Sequence, residues 1–389
     1  MKIYRKATLF FSLFITVLLI ISFFFVFNPL GLGPEPKEVL SKDFFDKSAA
    51  QLNELRLMID GESAFAEVLS TIEKAQDTIY VQTFIWKDDK IGKLVAEKLK
   101  EAADRGVSVT IHKDVLGTVF ELGDILKGKP SPVYTSSGLK EYKNITVVTD
   151  ILANTDHSKY FVLDRQMAIF GGMNIADEYH DQWHDYMVSI QSEHWTMEFM
   201  QKVIFESFWP NPAPFFVAVN NRKTTEIRTA LIQIIDHATE NIIIEHAYVS
   251  DDKIIKAVSR AADKGVDVTV ILPEQPDTHV YANQVTINRL LEASEINPPR
   301  ILLYPRMSHA KVFLIDGVIA AIGSANLTPR SMVTSKELTL FAHGKSNDQF
   351  IVKLQNQLTK DIELSKQVIK PIELSLFEKV MAFVGKYVW

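Results

Sequence analysis

No cysteine occurs among the 389 residues. That excludes a disulfide framework, thiolate catalysis and any metal site built on sulfur. An excess of positive charge is missing too. The formal net charge is −6, and Lys2, Arg5 and Lys6 are the only charged residues ahead of Glu35. Without those three positives the rest of the chain stands at −9. A globally basic surface of the kind that binds nucleic acid is therefore absent, although a local basic cleft stays open. The length suffices for a large core or two domains.

One long hydrophobic run is present, Ala7–Phe27, 21 residues without a charge. About 20 apolar residues span a bilayer as a helix, and flanking positives stay cytoplasmic. The expectation is a single-pass anchor in the cell membrane, with residues 1–6 cytoplasmic and the catalytic part outside the cytoplasm. The rival is a cleaved signal peptide, whose apolar core is usually about 7–15 residues. This run is longer and ends in Phe23-Phe-Phe-Val-Phe27 without a small-x-small site; the one weak candidate is Gly31-x-Gly33. Residues 28–40, with three prolines and two glycines between Asn28 and Pro36, read as a linker.

What the chain does contain is one short pattern, twice. His157-Ser-Lys159-Tyr-Phe-Val-Leu-Asp164 is followed by Gly171-Gly172-Met-Asn174, and His309-Ala-Lys311-Val-Phe-Leu-Ile-Asp316 by Gly323-Ser324-Ala-Asn326. An acidic residue lies eleven positions past each Asn: Asp185 and Glu337. The apolar, partly β-branched stretch between Lys and Asp reads as a buried strand. On a strand His and Lys, two apart, share a face. A second strand, over 167–170 or 318–322, leads to the glycine, where backbone can approach a ligand closely. Two such copies facing each other offer two imidazoles, two ammonium groups and two amides to one anion.

A larger repeat surrounds the motif. Residues 77–82, 90–105 and 107–111 read strand, helix, strand, and 241–245, 252–264 and 266–272 repeat the order. The joins match as Ala102-Ala-Asp-Arg-Gly-Val-Ser-Val-Thr110 against Ala261-Ala-Asp-Lys-Gly-Val-Asp-Val-Thr269. The chain reads as duplicated α/β halves, 41–215 and 216–389. Each is expected to build a largely parallel sheet with helices on both faces. The halves pack as an internal pseudo-dimer with the site at their junction.

These residues resemble the phospholipase D superfamily over nearly everything after residue 40. The wording Gly171-Gly-Met-Asn-Ile-Ala-Asp-Glu-Tyr179, Trp183-His-Asp185, Gly323-Ser-Ala-Asn-Leu327 and Arg330-Ser331 looks most like bacterial cardiolipin synthases. The chain departs from that branch at Asp156, Ser158 and Leu327-Thr328. The resemblance implies a phosphatidyltransferase or phosphodiesterase with His157 as nucleophile and His309 as general acid and base; the two copies are too alike to decide this by themselves.

The chemistry fits. A phosphodiester accepts a nucleophile when its charge is screened, and Lys159, Lys311, Asn174, Asn326 and Ser324 can screen it as fixed donors. A neutral imidazole attacks phosphorus to give a phosphohistidine, and the other moves protons to and from oxygen. Asp185 and Glu337 suit the imidazole Nδ1–H, while Asp164 and Asp316 are read as members of the catalytic set or braces beside the lysines. No cofactor or metal is called for, because lysines supply the positive charge. His180 and His184 stand at a zinc-helix spacing, but the Glu of H-E-x-x-H is missing.

Several readings stay open at this level. Gln82 and Glu245 are either supports of the site or ordinary strand-end polars. Asp114-Val-Leu-Gly-Thr118 is either a family turn or an ordinary one, and 119–154 either shapes the mouth or is a surface insertion. Leu374–Trp389 is either a core-docking helix or an interfacial one. The expected partners are a phospholipid, with phosphatidylglycerol as substrate, and the bilayer; nucleic acid is disfavoured and no obligate protein partner is implied. The activities in competition are phosphatidyl transfer giving cardiolipin, phospholipid hydrolysis, and a nuclease of the same superfamily.

Overall fold

The computed structural model describes residues 32–46, 51–114, 117, 138–149, 154–207 and 215–388. The apolar run 7–27, most of the 119–154 stretch and Trp389 lie outside the described residues. No described helix is long and apolar enough to cross a membrane.

The first sheet contains β1 (Leu55–Ile59), β2 (Thr78–Thr83), β3 (Ser108–Lys113), β4 (Ile145–Val148), β5 (Tyr160–Leu163), β6 (Met167–Gly171) and β7 (Tyr186–Gln191). Its spatial order is β1-β7-β6-β5-β2-β3-β4. The second contains β8 (Phe215–Asn220), β9 (Asn241–His246), β10 (Asp267–Pro273), β11 (Arg300–Tyr304), β12 (Lys311–Ile315), β13 (Ile319–Gly323), β14 (Glu337–His343) and β15 (Lys366–Val368). Its order, β15-β11-β10-β9-β12-β13-β14-β8, repeats the first sheet strand for strand, with β15 added at one edge.

The sheets are mixed, which corrects the expectation of a largely parallel sheet. Only β2-β3-β4 and β9-β10-β11 run parallel. The motif strands pair antiparallel with them and with each other. The cause is the motif Asp. Asp164 and Arg165, and again Asp316 and Gly317, take positive φ, and Gln166 N–H and Val318 N–H close tight turns onto Leu163 O and Ile315 O. Asp-Gly between apolar runs is a strong hairpin signal, because both central residues need left-handed backbone. A hairpin forces antiparallel pairing where a crossover helix would permit parallel.

Helices cover the outer faces. α1 (Lys42–Asp46) precedes β1; α2 (Asp60–Lys74) and α3 (Lys90–Asp104) cover the first sheet, and α4 (Glu193–Phe199) follows β7. In the second half α5 (Ile227–His237), α6 (Asp252–Asp263) and α7 (Val280–Leu291) do the same. α8 (Pro329–Val333), α9 (Gln349–Leu364) and α10 (Leu376–Val388) complete the chain. α3 and α6 are N-capped by Asp89 and Asp251. Both stop at a glycine of positive φ, Gly106 or Gly265, a position where a side chain would be strained.

The inner faces of the two sheets share one core. Val162, Phe170 and Val188 pack there with Val312, Ile322 and Leu340, flanked by Phe199 and by Leu354 of α9. Phe161 and Ile169 face the outer core of their own half. Burial on both faces is why the motif strands are continuously apolar rather than alternating. Residues 32–45, expected as linker and as the start of the first half, instead dock on the second half. Leu40 and Phe44 enter its outer core beside Ile234, and Gln233 Oε1 accepts from Val39 N–H and Leu40 N–H at 2.9 Å each.

Candidate active site

The two motifs meet where the parallel strands end. A short ladder crosses between the halves and sets their register. His157 N–H donates to Lys336 O at 2.9 Å, and Lys336 N–H donates to Thr155 O at 2.8 Å. On the other side His184 N–H donates to Met307 O at 3.0 Å, and His309 N–H donates to His184 O at 2.7 Å. Each ladder places a histidine beside the acidic residue of the opposite half. Glu337 lies 3.0 Å from His157 Nδ1, and Asp185 lies 2.7 Å from His309 Nδ1. With Nδ1 held, His157 has Nε2 left for chemistry, while His309 Nε2 lies 3.1 Å from Lys311 Nζ.

Lys159 donates to His157 O. Lys311 Nζ donates to His309 O at 2.6 Å and lies 2.9 Å from its Nδ1. Both amines are buried. Burial pushes Lys159 down to about 7, with Lys311 adding to the effect, and Lys311 to about 8. Asn174 has its amide committed: Oδ1 accepts from Ile85 N–H and Nδ2 donates to the Tyr179 hydroxyl. Asn326 Oδ1 is buried with no partner. Both asparagines and both histidines line one cavity of about 130 Å³, open to solvent.

The two pairs differ electrically. Burial pushes His157 down to about 4. Burial alone would raise Glu337, yet His157, Lys159 and the Ser324 hydroxyl hold it below the usual carboxylate range. Asp185 is pushed by burial up to about 7, and burial with Lys311 holds His309 well below an ordinary histidine. One sequence difference contributes to this. Ser324 Oγ donates to Glu337 Oε2 at 2.5 Å. At the matching place Gly172 has no side chain, and a Cβ there would sit 2.3 Å from Asp185 Oδ1. Glu337 therefore receives a hydroxyl donor that Asp185 lacks.

Three expected site residues lie elsewhere or act otherwise. Asp164 sits at the far end of β5, where its carboxylate accepts from Gln76, Asp77 and Thr78 N–H. Asp316 does the same for Thr239, Glu240 and Asn241. They brace the entry to β2 and β9, and four strand residues separate each from its lysine. Ser324 was expected on phosphate; its hydroxyl is spent on Glu337. We expect Asp316→Ala to lower stability by about 0.5–1.5 kcal/mol, since water can reach most of the donors it leaves on Thr239, Glu240 and Asn241, with turnover of the folded fraction unchanged. A loss of kcat without loss of stability would return Asp316 to the site.

His180 and His184 do not share a helical face, since the helical turn ends at Gln182 and Trp183 is extended. His184 turns inward, with Nδ1 2.6 Å from Asp60 Oδ1 and Nε2 3.0 Å from the Tyr186 hydroxyl. Glu245 and Asp361 are fully buried beside it, all three donor groups lying within 4.8 Å of one another. A metal could bridge such a set, but each is already engaged. Tyr186 donates to Glu245 and Asp361, Ser308 to Glu245, and Gln357 to Asp361. Burial alone would lower His184, yet Glu245, Asp361 and Asp60 raise it well above the ordinary value, which suits an imidazolium and not a ligand.

Gln82 and Glu245 support the site: Gln82 Nε2 donates to Asp156 O, and Glu245 accepts from Ser308 Oγ, each just ahead of a catalytic histidine. Asp114 accepts from Gly117 N–H and from Asp156 N–H. Ser158 Oγ donates to Asp156 Oδ1 at 2.5 Å, so the two departures around the first histidine are partners. Sequence reasoning missed the cavity's aromatic and acidic wall. Phe84 stands edge-on to His157, and Tyr179 and Trp183 pack on His309. Tyr248 donates to Asp277. Tyr179 and Trp183 stand in the motif wording without a role read for them; Phe84, Tyr248 and Asp277 are marked by proximity alone.

The lysines make a pH prediction with a definite sign. An unfolded lysine titrates near about 10.4, so the folded chain binds fewer protons between the lowered values and that point. Ionised Lys159 and Lys311 thus destabilise the empty fold at low pH, and stability rises with pH through the window from about 7 to 10.4. Lys159→Met is expected to be the more stable protein at pH 6.5, with its advantage gone by about pH 10.5. Urea midpoints of both proteins across that range decide it; a constant difference would mean Lys159 is already neutral.

The chain matches the family described as "Cardiolipin synthase, PLD-like domain" twice, over residues 68–209 and 231–362. It is 26% identical over 380 residues to a cardiolipin synthase of Clostridium perfringens, covering 88% of this chain and 77% of that one. It is 27% identical over 343 residues to cardiolipin synthase A of Pseudomonas putida, covering 81% and 70%. Among solved structures, the phosphatidylserine synthase of Haemophilus influenzae superposes with a TM-score of 0.68 at 13% identity, over 93% of this chain and 98% of that one. The polyphosphate kinase of Porphyromonas gingivalis gives 0.57 at 13% identity, over 89% and 55%; at these identities the likeness speaks for the fold alone. Two matched copies, one on each sheet and each carrying one histidine of the shared cavity, make this chain a member of the phospholipase D-like family of cardiolipin synthase domains.

Proposed function

We propose that this chain is a membrane-anchored phosphatidyltransferase that joins two phosphatidylglycerol molecules into cardiolipin and releases glycerol. The observation that carries the reading is the pair of imidazoles that line one cavity, each held at Nδ1 by a carboxylate of the other half, with a buried lysine behind each. The curated relatives bear the name of that activity. The apolar run 7–27 is the anchor, with the catalytic halves outside the cytoplasm.

The unequal pairs support unequal roles. Burial, with Lys159 and Lys311 beside it, keeps His157 neutral against the pull of ionised Glu337, which accepts the Nδ1–H and leaves the Nε2 lone pair available. His157 Nε2 attacks phosphorus, the P–O bond to glycerol breaks, and a phosphatidyl-histidine forms. The proton shared by Asp185 and His309 passes through His309 Nε2 to the leaving oxygen, so free glycerol departs. His309, now a base, takes the proton of the second phosphatidylglycerol's terminal hydroxyl, which displaces His157 and yields cardiolipin. Lys159, Lys311 and the Asn326 amide neutralise the charge that builds on the phosphoryl oxygens.

The test uses the full chain in vesicles with labelled phosphatidylglycerol and excess EDTA. Labelled cardiolipin with equimolar glycerol is expected, undiminished by chelation, because lysines do the screening. Phosphatidic acid in its place would make the chain a hydrolase, with water as acceptor. Degradation of single-stranded DNA without lipid turnover would make it a nuclease.

A further inference from the structure

The last helix is built inside out. In α10 the small Ala382 faces the body of the protein, and Lys386 is tied to Asp252 Oδ2 at 2.8 Å. The apolar side faces away: Leu376 is 81% exposed, Phe377 and Phe383 67% each, and Val380 and Met381 are exposed with them. A helix that merely docks on a core does the reverse. The outward face runs along one side at helical spacing; Lys379 is exposed on the helix itself, and Lys370 and Glu373 are exposed just ahead of it.

The surroundings say what covers it. α10 lies against α7 and touches α8. Thr278 and His279, just ahead of α7, and Thr328, Arg330 and Ser331 of the α8 turn all line the catalytic cavity. Exposed Val280 and Val333 lie on those same two helices. The first described residues lie at the same place. Glu35 pairs with Arg228 at 2.6 Å and Lys253 at 2.8 Å. Asp252, which holds Lys386, is the neighbour of Lys253. In sequence Glu35 stands eight residues past the apolar run 7–27. Glu35, the exposed apolar helix and the helices that rim the cavity thus share one side of the second half.

We propose that α10 is an interfacial membrane helix: its apolar face enters the headgroup and acyl boundary of a phospholipid bilayer containing anionic lipid, and it seats the mouth of the cavity on that surface. Large exposed apolar patches mark interaction sites, and a helix with an apolar side and flanking lysines lies in the plane of such an interface. The inference deepens the membrane reading above and rests on it only for the lipid surface, not for the transfer chemistry.

The chain's lack of cysteine permits a direct test. Phe377→Cys, Phe383→Cys and, on exposed Lys360 of α9, Lys360→Cys are each introduced into the full chain and labelled with an environment-sensitive fluorophore. In phosphatidylglycerol–phosphatidylcholine vesicles, labels at 377 and 383 are expected to shift to the blue and to be quenched by lipids carrying a nitroxide high on the acyl chain, while the label at 360 is not. No shift at 377 and 383 would overturn the proposal. So would a shift that needs no lipid and grows with protein concentration, which would make α10 a contact between copies of this chain. A second measurement uses Phe377→Glu with Phe383→Glu. Turnover of vesicle phosphatidylglycerol is expected to fall at least about tenfold, while turnover of a water-soluble nitrophenyl phosphodiester is unchanged; equal losses on both would overturn it. If the unaltered chain turns over neither substrate, the transferase reading fails while the fluorescence result stands by itself.

Discussion

His309→Ala is expected to lose about 10²–10⁴-fold in turnover of phosphatidylglycerol, the usual worth of a general acid and base, and to recover much of its first step on a nitrophenyl phosphodiester. Nitrophenolate departs without a proton, so the lost acid no longer matters for forming the intermediate. The second step still needs a base to activate the acceptor, and that base is gone. The variant is therefore expected to stall as a phosphoryl-enzyme linked through His157, stable to alkali and labile to acid. His157→Ala is expected to lose on the order of 10⁴–10⁶-fold and to gain nothing from the better leaving group, because its nucleophile is missing. Peptide mapping under acid-free conditions locates the adduct. Label on the peptide containing His309 would reverse the roles. No adduct in either variant, with no burst, would favour direct attack by the acceptor.

The direction of that prediction comes from the asymmetry between the pairs, to which one pair of matched positions contributes. Ser324 donates to Glu337, whereas Gly172 leaves Asp185 without such a donor. In the sequence this difference reads only as G-[GS]-x-N, and Ser324 looks like a phosphate ligand. Its true partner is thirteen residues away across the β13–β14 pairing, a contact that a local pattern does not reveal. The same limit hid the cross-half pairing. The spacing marked Asp185 and Glu337 as the carboxylates, but which one serves which histidine depends on how two sheets face each other. His157 and Glu337 are 180 residues apart in the chain.

Other features were legible and were read for the wrong purpose. The strand–helix–strand units point to a parallel sheet, whereas Asp316-Gly317, whose Asp reads as catalytic or as a brace, is the hairpin signal that turns the motif strands antiparallel. The duplicated strand–helix–strand units were plain because the joins repeat almost letter for letter. The docking of residues 32–45 was hidden by their prolines and glycines, which look like a linker although Leu40 and Phe44 are buried. The wall formed by Tyr248 and Asp277 has no counterpart in the repeat and no motif of its own.

The second large effect is expected at His184, in structure rather than chemistry. Its imidazolium stands among Asp60, Glu245 and Asp361, of which Glu245 and Asp361 are fully buried. His184→Ala leaves those two carboxylates facing each other without a cation. Breaking a buried ion pair from one side costs about 3–5 kcal/mol, and here the break falls on the seam between the halves, since His184 belongs to the first and Glu245 and Asp361 to the second. The sign with pH follows from the raised value. The stabilisation is complete below the unfolded pKa near about 6.5 and is lost as pH rises through the higher folded pKa. The deficit of His184→Ala against the unaltered chain is therefore expected to be full at pH 6 and smaller at pH 9.5, as read from urea midpoints. His184→Ala combined with Asp361→Asn is expected to recover part of it, because one uncompensated charge is removed. A deficit that ignores pH but is reproduced in the unaltered chain by a strong chelator would mean that the three donor groups hold a metal ion and not a proton. If neither treatment moves the midpoint, the seam is held by the sheet-to-sheet core around Val162 and Val312 alone, and the polar cluster serves only to place Ser308 and the histidine that follows it.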